Sequence, residues 1–506
     1  MELGEAMSFF HRSSESSAVY NQRIPKIFTT LYLLTLTFVI MMQSPMNPFH
    51  VSLAGVDSSV FHYIASVMKN GGLIYRDTFD HKGPLLYFIN YLGLNISYYS
   101  GTWFLEFITL LIWICITYRT ARLFCKRIPA CFAVFLSSTA LIICFFGGNF
   151  PECYALPCIS GALYIFTDYY INQKLSRIRL MICGGLLGCV LMLKPNLIAV
   201  WIVFCLSVFI LKIYEKETQT LFFCVIWFFL GLSLSILPIL LYLIKMGIFM
   251  DFVNTYILFN LNYSKDAGLG SSLLLTLKCF CRELVFPCFV ISLIMLAAKN
   301  KAVYWRAYFA YFLLSVLLCN MSGNDYIYYR IMLVPCYVIP LSAFISRFNI
   351  NKNNTYPLQV MLVIMSAVIV QQWDSPVVHT LSEMKNMTAE IDLGDEHHQE
   401  LFRLIEEYTD EDDTFIVYGN EDCFYYYSHR FASSKYSFQY PIILIDENMR
   451  RNFFSELDKN MPSLILVQSL WCNDEYIQDF LETHPYQCIT DFDDYALYLR
   501  MDNRFH

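Results

Sequence analysis

IFTTLYLLTLTFVIMMQSP (Ile27–Pro45) is followed by AGVDSSVFHYIASVMKNGGLIYRDTFDHKGPLLYFIN (Ala54–Asn90), and the contrast between the two decides the fold. The first stretch is apolar over about the 20 residues a helix needs to cross hydrocarbon. The second carries more charge than a connecting loop requires, at the mouth of whatever bundle the first one starts. Runs like the first recur at about 102–121, 128–147, 153–171, 179–193, 196–213, 220–244, 280–298, 303–320, 331–347 and 357–373. The reading is a polytopic α-helical membrane protein of about 11 transmembrane helices with outer-face amphipathic helices. The first run lacks a small-residue cleavage pattern, so it is read as an uncleaved anchor.

Composition agrees, with 57% hydrophobic and only 15% charged residues over 506 positions, and argues against a nucleic-acid partner. Lys and Arg collect in alternate connections: Arg23 and Lys26; Arg119, Arg122, Lys126 and Arg127; Lys174, Arg177 and Arg179; Lys212 and Lys216; Lys299, Lys301 and Arg306; Arg347 and Lys352. The positive-inside rule makes these cytoplasmic, with the N-terminus. An odd number of spans then places the remaining connections and the C-terminal part outside, as in a multi-pass protein of the plasma (inner) membrane.

Two domains are expected, a transmembrane one over 1–373, with a first outer loop at about 46–101, and a soluble acidic α/β domain over 374–506. The latter holds 27 acidic against 9 basic residues, net −18, in a chain of net −7. Its β-rich runs, Thr414–Tyr418, Leu464–Gln468, Gln487–Asp491 and Tyr495–Leu499, alternate with helical patterns at Met449–Lys459 and Asp474–His484, which predicts a small, partly parallel sheet. No glycine-rich nucleotide fingerprint follows any of these strands. The 18 cysteines are scattered mainly through apolar runs without CxxC pairs and read as small core residues.

The chemistry is sought in the outer connections. Residues 57–70 have the spacing of an amphipathic interfacial helix, with Asp57 at or near its start, where helix capping is the plain alternative to a functional role. The cluster Tyr75–Pro84 supplies Arg76, Asp77, Asp80, His81 and Lys82 ahead of a proline that opens the next helix; a solvated loop is the alternative. The turn GGNFPECY (147–154) holds Glu152, which could be a simple helix N-terminal charge. Lys194 stands in LKPN among apolar residues, where an uncompensated charge is expensive, with snorkelling as the alternative. Tyr329 and Arg330 open YYRIMLVP, where the chain re-enters the membrane. The segment 246–272, with Asp251, Tyr256, Asn260, Asn262, Tyr263 and Lys265, reads as an amphipathic groove lining or a surface-resting helix. Carboxylates and cations on one face suit transfer of a group away from a membrane-bound phosphate.

DSSVFHYIASVMKNGGLIYRDTFDHKGPLLYF, NFPECYALP, LKPN and YYRIMLVP, in this order, resemble the GT-C superfamily of polytopic glycosyltransferases, and within it the bacterial protein mannosyltransferase and aminoarabinose lipid A transferase group. The resemblance covers about 25–350 and is most specific in the pairing of Asp57 with HKGP. It implies an inverting transfer of a sugar from a polyprenyl-phosphate donor, typically undecaprenyl phosphate, to a cell-surface glycan, lipid or protein acceptor outside the membrane. Asp57 matches the catalytic acid of the first outer loop and would act as general base; Glu152 matches the second acidic position and would position the acceptor or Asp57. Lys82, Lys194, Tyr329 and Arg330 would hold the lipid phosphate, with Arg76, Asp77, Asp80, His81, Asn260 and Tyr263 in support. Gly83 stands where relatives often have a proline and His81 where some have a carboxylate, and this leaves a divalent metal near Lys82 open. A lipid-linked-sugar transporter or flippase, or a non-catalytic envelope-assembly subunit, would show charges on broken mid-membrane helices or purely structural loop charges instead.

Overall fold

The computed structural model describes residues 26–263, 269–282, 284–297, 301–347, 391–440, 443, 446–492 and 494–501. Helices stand at ten of the eleven apolar runs, and the eleventh, 357–373, lies outside the described residues. Four of these helices are long and apolar enough to cross a membrane: α4 (Gly101–Ala121), α5 (Arg127–Cys144), α9 (Thr218–Lys245) and α12 (Ala302–Cys319). A fifth span results if the 3-10 stretch Ile327–Cys336 and α13 (Val338–Ile345), bent by 45°, count as one. The others are shorter or more polar: α1 (Lys26–Met41), α6 (Pro151–Asn172), α7 (Arg177–Leu191), α8 (Ala199–Tyr214) and α11 (Val285–Leu296), the last preceded by α10 (Leu269–Cys279) outside these runs. The helices therefore establish a membrane protein, while the count of eleven spans stays an expectation.

The chain forms two compact units. The first comprises Met1–Ser44, Glu106–Pro238 and Tyr263–Ser382. It is helical, and its side chains sort as hydrocarbon demands. On α9, Phe222, Phe229, Leu230, Leu234 and Leu237 stay exposed, where lipid would cover them without loss of hydrogen bonds. The opposite kind of helix is α6, buried along most of its length, with Glu152 in its first turn.

The second unit comprises Pro45–Leu105, Ile239–Asn262 and Glu383–His506, so the segment between the first two apolar runs and the acidic C-terminal part fold together. Helix α2 (Val56–Lys69) is followed by α3 (Pro84–Ile96), started by the proline of HKGP. The C-terminal part holds α14 (Glu396–Tyr408), β1 (Thr414–Tyr418), α15 (Cys423–Ser428), β2 (Phe431–Ala432), α16 (Glu447–Lys459), β3 (Leu464–Gln468), α17 (Glu475–Thr483), β4 (Tyr486–Asp491) and β5 (Tyr495–Arg500). The sheet order is β2-β1-β3-β5-β4, with β1 parallel to β2 and β3, and β5 antiparallel to β3 and β4. Phe415, Ile416, Leu464, Ile465 and Leu466 are fully buried, as strands covered on both faces must be. The four strands expected from sequence are present, and the sheet is partly parallel. The two-residue β2 and helix α15, whose sequence CFYYYS has no helical period, were not expected.

Helix α2 corrects the sequence reading. It was expected to lie amphipathically on the membrane surface, yet Ser58–Ser66 are buried on every face. The C-terminal part covers what looked like a polar side. Tyr63 Oη accepts from the Ala432 amide at 2.9 Å and its ring lies 5.0 Å from that of Tyr425. His62 Nε2 lies 2.9 Å from Thr102 Oγ1, its ring 5.1 Å from Tyr426, and burial lowers its pKa to about 3, so it is neutral. Tyr98 stacks on Tyr426 at 4.8 Å, and Phe79 N donates to Lys435 O at 2.8 Å. A polar helix face needs water only when nothing else satisfies it.

Asp422, just before α15, is fully buried, with Oδ2 accepting from Ser437 Oγ at 2.5 Å and Oδ1 without a partner among the described residues. Burial pushes its carboxyl up to about 7, the Ser437 hydrogen bond opposing and the Asp80 charge adding to the rise. The folded state therefore binds the proton that the unfolded chain releases near pH 4. Stability from this group is complete below that pH and falls by up to roughly 1.4 kcal/mol per unit as pH rises toward 7. Asp422→Asn is expected to raise the melting temperature relative to wild type at pH 8 and to leave the difference small or reversed at pH 4.5, checked by thermal unfolding of the purified protein.

Candidate active site

In the second unit Asp57 lies in the first turn of α2, but Gly55 occupies the cap position and makes no side-chain cap. The capping alternative is thereby removed. The Asp57 carboxylate is part-exposed and has no hydrogen-bond partner among the described residues. Its charge adds to the rise of the carboxyl of Asp80, which is nearly fully buried. Burial raises the Asp80 carboxyl, while Lys82 and a 2.9 Å hydrogen bond from Tyr87 Oη pull it back. Lys82 Nζ lies 3.6 Å from Asp80 Oδ1 and 3.2 Å from His81 Nε2. The Lys82 backbone is fixed as well, its carbonyl accepting from Tyr75 Oη at 2.8 Å and its amide donating to Tyr87 Oη at 3.2 Å. The sequence HKGP thus folds as a braced loop rather than a solvated one.

Asn260 belongs with this loop, its Nδ2 donating to His81 O at 2.7 Å. It comes from a helical run, Phe249–Phe252, Val253–Leu258 and Phe259–Tyr263, whose middle piece is wound as a π-helix. Tyr263 ends that run with its side chain outside the described ones, as is Lys265 altogether. Arg76 and Asp77 stand apart. Arg76 pairs with Asp251 at 3.0 Å and the Gly247 carbonyl, and Asp77 accepts from Leu73 N at 2.7 Å, so both shape the loop's approach.

In the first unit Glu152, Lys194 and Tyr329 come together. Lys194 Nζ donates to Glu152 Oε1 at 2.6 Å and sits 3.9 Å above the centroid of the Tyr329 ring. Glu152 is 1% exposed, and its Oε2 has no partner among the described residues. The ammonium is therefore held between a carboxylate and an aromatic face, away from bulk water. The charge of Lys194 is matched where it lies. Arg330, largely buried, follows Tyr329 on the 3-10 stretch, and Phe150 stacks on Tyr328 at 4.1 Å.

A residue the sequence reading passed over sets this geometry. Glu106 is 1% exposed on α4, and its Oε1 accepts from the Asn149 amide at 2.8 Å. It braces a turn in which Phe146, Gly147, Gly148 and Asn149 all have left-handed φ angles, immediately before Glu152. At Gly148 (φ +82°) an added Cβ would stand 2.6 Å from Glu106 Oε2. The signal was available: a lone carboxylate inside an apolar run is expected to have a partner or a task. Gly148→Ala is expected to lower activity together with thermal stability, because strain and the displaced carboxylate both shift Glu152, and melting curves alongside any transfer assay check it. Among the described residues no group of three or more His, Cys, Asp or Glu side chains is arranged to hold a metal ion.

Residues 18–356 match the family described as putative competence-induced protein Ccs4, N-terminal domain. The chain belongs to this family. No curated protein matches this Ccs4-family chain by sequence. Among solved structures it is similar to ArnT from Cupriavidus metallidurans bound to undecaprenyl phosphate, at 11% identity and TM-score 0.63 over 94% of this chain and 98% of that one. The apo state of the same ArnT gives 12% identity and TM-score 0.58 over 94% and 98%. An oligosaccharyltransferase from Archaeoglobus fulgidus, in complex with Zn and sulfate, gives 14% and 0.52 over 89% and 69%. These likenesses show a fold shared with ArnT and the archaeal oligosaccharyltransferase.

Proposed function

We propose that the chain is a glycosyltransferase that moves a sugar from a polyprenyl-phosphate donor to a cell-envelope acceptor, on the outer face of the membrane and with inversion. The observation that carries this reading is Asp57, a part-exposed carboxylate in a helix's first turn without a hydrogen-bond partner among the described residues, on a fold shared with an enzyme solved with undecaprenyl phosphate. In the proposed step Asp57 takes the proton of the acceptor hydroxyl as its oxygen attacks the anomeric carbon. The bond from that carbon to the phosphate oxygen breaks, and the lipid phosphate leaves with the electron pair. An ordinary carboxylate suffices because the hydroxyl becomes acidic only in the transition state.

Charge developing on the phosphate requires fixed cations in a poorly hydrated surrounding. Lys82, and separately Lys194 with Tyr329 and Arg330, are assigned that role, and Glu152 keeps Lys194 oriented. Outward placement of the acidic C-terminal part, after a cytoplasmic N-terminus, belongs to the same proposal. The test follows release of free polyprenyl phosphate from a panel of lipid-phosphate sugars in membranes. Release by wild type and not by Asp57→Asn supports the enzyme; release from neither, with lipid-linked sugar carried across vesicles, would replace it with the transporter reading.

A further inference from the structure

In an open α/β sheet, ligands bind outside the carboxyl ends of the parallel strands, where consecutive connections leave toward opposite sides. The order β2-β1-β3 puts that point between β1 and β3, because the chain goes from β1 to β2 on one side and returns to β3 on the other. Three loops meet there. Gly419, directly after β1, donates to Gln439 Oε1 at 2.7 Å and accepts from Gln439 N at 2.9 Å. Gln468, the last residue of β3, accepts from Asn420 N at 3.0 Å and donates to Glu421 Oε1 at 3.0 Å and Tyr495 Oη at 3.1 Å. A Cβ on Gly419 would stand 2.1 Å from Gln468 Oε1, so the bare glycine is what lets the carboxamide lie across the strand end.

Beside this oriented carboxamide and carboxylate stand two aromatic rings. Tyr440, next to Gln439, is 45% exposed, and its ring lies 5.2 Å from that of Trp471 in the loop after β3. Leu470, between Ser469 and Trp471, is 83% exposed. Apolar surface held outward beside pre-oriented polar groups is the composition of a site for an amphipathic small molecule. The carboxylate Glu421 after β1, in place of a glycine-rich loop, disfavours a phosphate ligand. His398, whose Nε2 lies 3.6 Å from Glu421 Oε2 and whose Nδ1 lies 2.9 Å from Asp395 Oδ1, fixes the Glu421 carboxylate in place.

We infer that the carboxyl ends of β1 and β3 form a carbohydrate subsite, with Trp471 and Tyr440 stacking on the apolar face of a neutral sugar ring and Gln468, Asn420 and Glu421 addressing its hydroxyls. Resting on the transferase reading, the subsite holds the glycan acceptor. Binding here needs neither donor nor turnover, so it is tested separately. The full chain in lipid nanodiscs, free of sugar-headed detergent, is titrated with neutral tetrasaccharides of gluco, galacto, manno and N-acetylhexosamine type, by saturation-transfer NMR and calorimetry. At least one is expected to bind; Trp471→Ala weakens it by about tenfold or more and Trp471→Phe restores most of it. No binding across the panel, or equal binding by Trp471→Ala, overturns the subsite. Glycan binding without any transfer would instead count against the transferase reading alone.

Discussion

Asp57→Asn is expected to reduce sugar transfer by about 10²–10⁴-fold, the range a positioned general base contributes, while leaving the protein folded. The second half of that expectation comes from the structure. Gly55, not Asp57, holds the cap position of α2, and the carboxylate has no hydrogen-bond partner among the described residues. Its loss therefore removes no structural hydrogen bond. A change of acid to amide keeps the shape and takes away only the proton acceptor. Transfer rates and melting curves measured together decide the matter: an inactive but equally stable variant fits the base, whereas wild-type activity removes Asp57 from the chemistry.

Lys194→Met is expected to be costly in a different way. It would strand the buried Glu152 carboxylate, and breaking a buried pair from one side costs about 3–5 kcal/mol. Replacing both partners, Glu152→Gln with Lys194→Met, should recover most of that stability because no unmatched charge is left behind. Transfer should remain lost in the double variant, since the cation assigned to the phosphate is gone. Thermal unfolding and phosphate-release assays on wild type and the two variants separate these outcomes. A double variant that is both stable and active would reduce the pair to scaffolding.

The same pair shows what a linear reading can and cannot reach. LKPN drew attention because a lone lysine among Met192, Leu193 and Leu197 has to be matched or carried to water. Its partner, 42 residues earlier, and the ring of Tyr329 beneath it could be named only as fellow candidates. Glu106 shows the converse. Its placement in an apolar run was a readable warning, but that it braces the left-handed turn before Glu152 depends on α4 meeting that turn in space.

Sequence by itself determined the membrane class, the positions of the apolar helices and four of the five strands. Those features follow from local rules: the length of apolar runs, the two-residue period of strands, proline at a helix start. Tertiary structure decided that α2 is buried rather than surface-lying, that Asp57 is not a cap, and that the segment between the first two apolar runs folds with the C-terminal part. Each of these depends on which distant groups come to satisfy a polar face. Buried area and hydrogen-bond partners are properties of the assembled fold, and no window along the chain contains them.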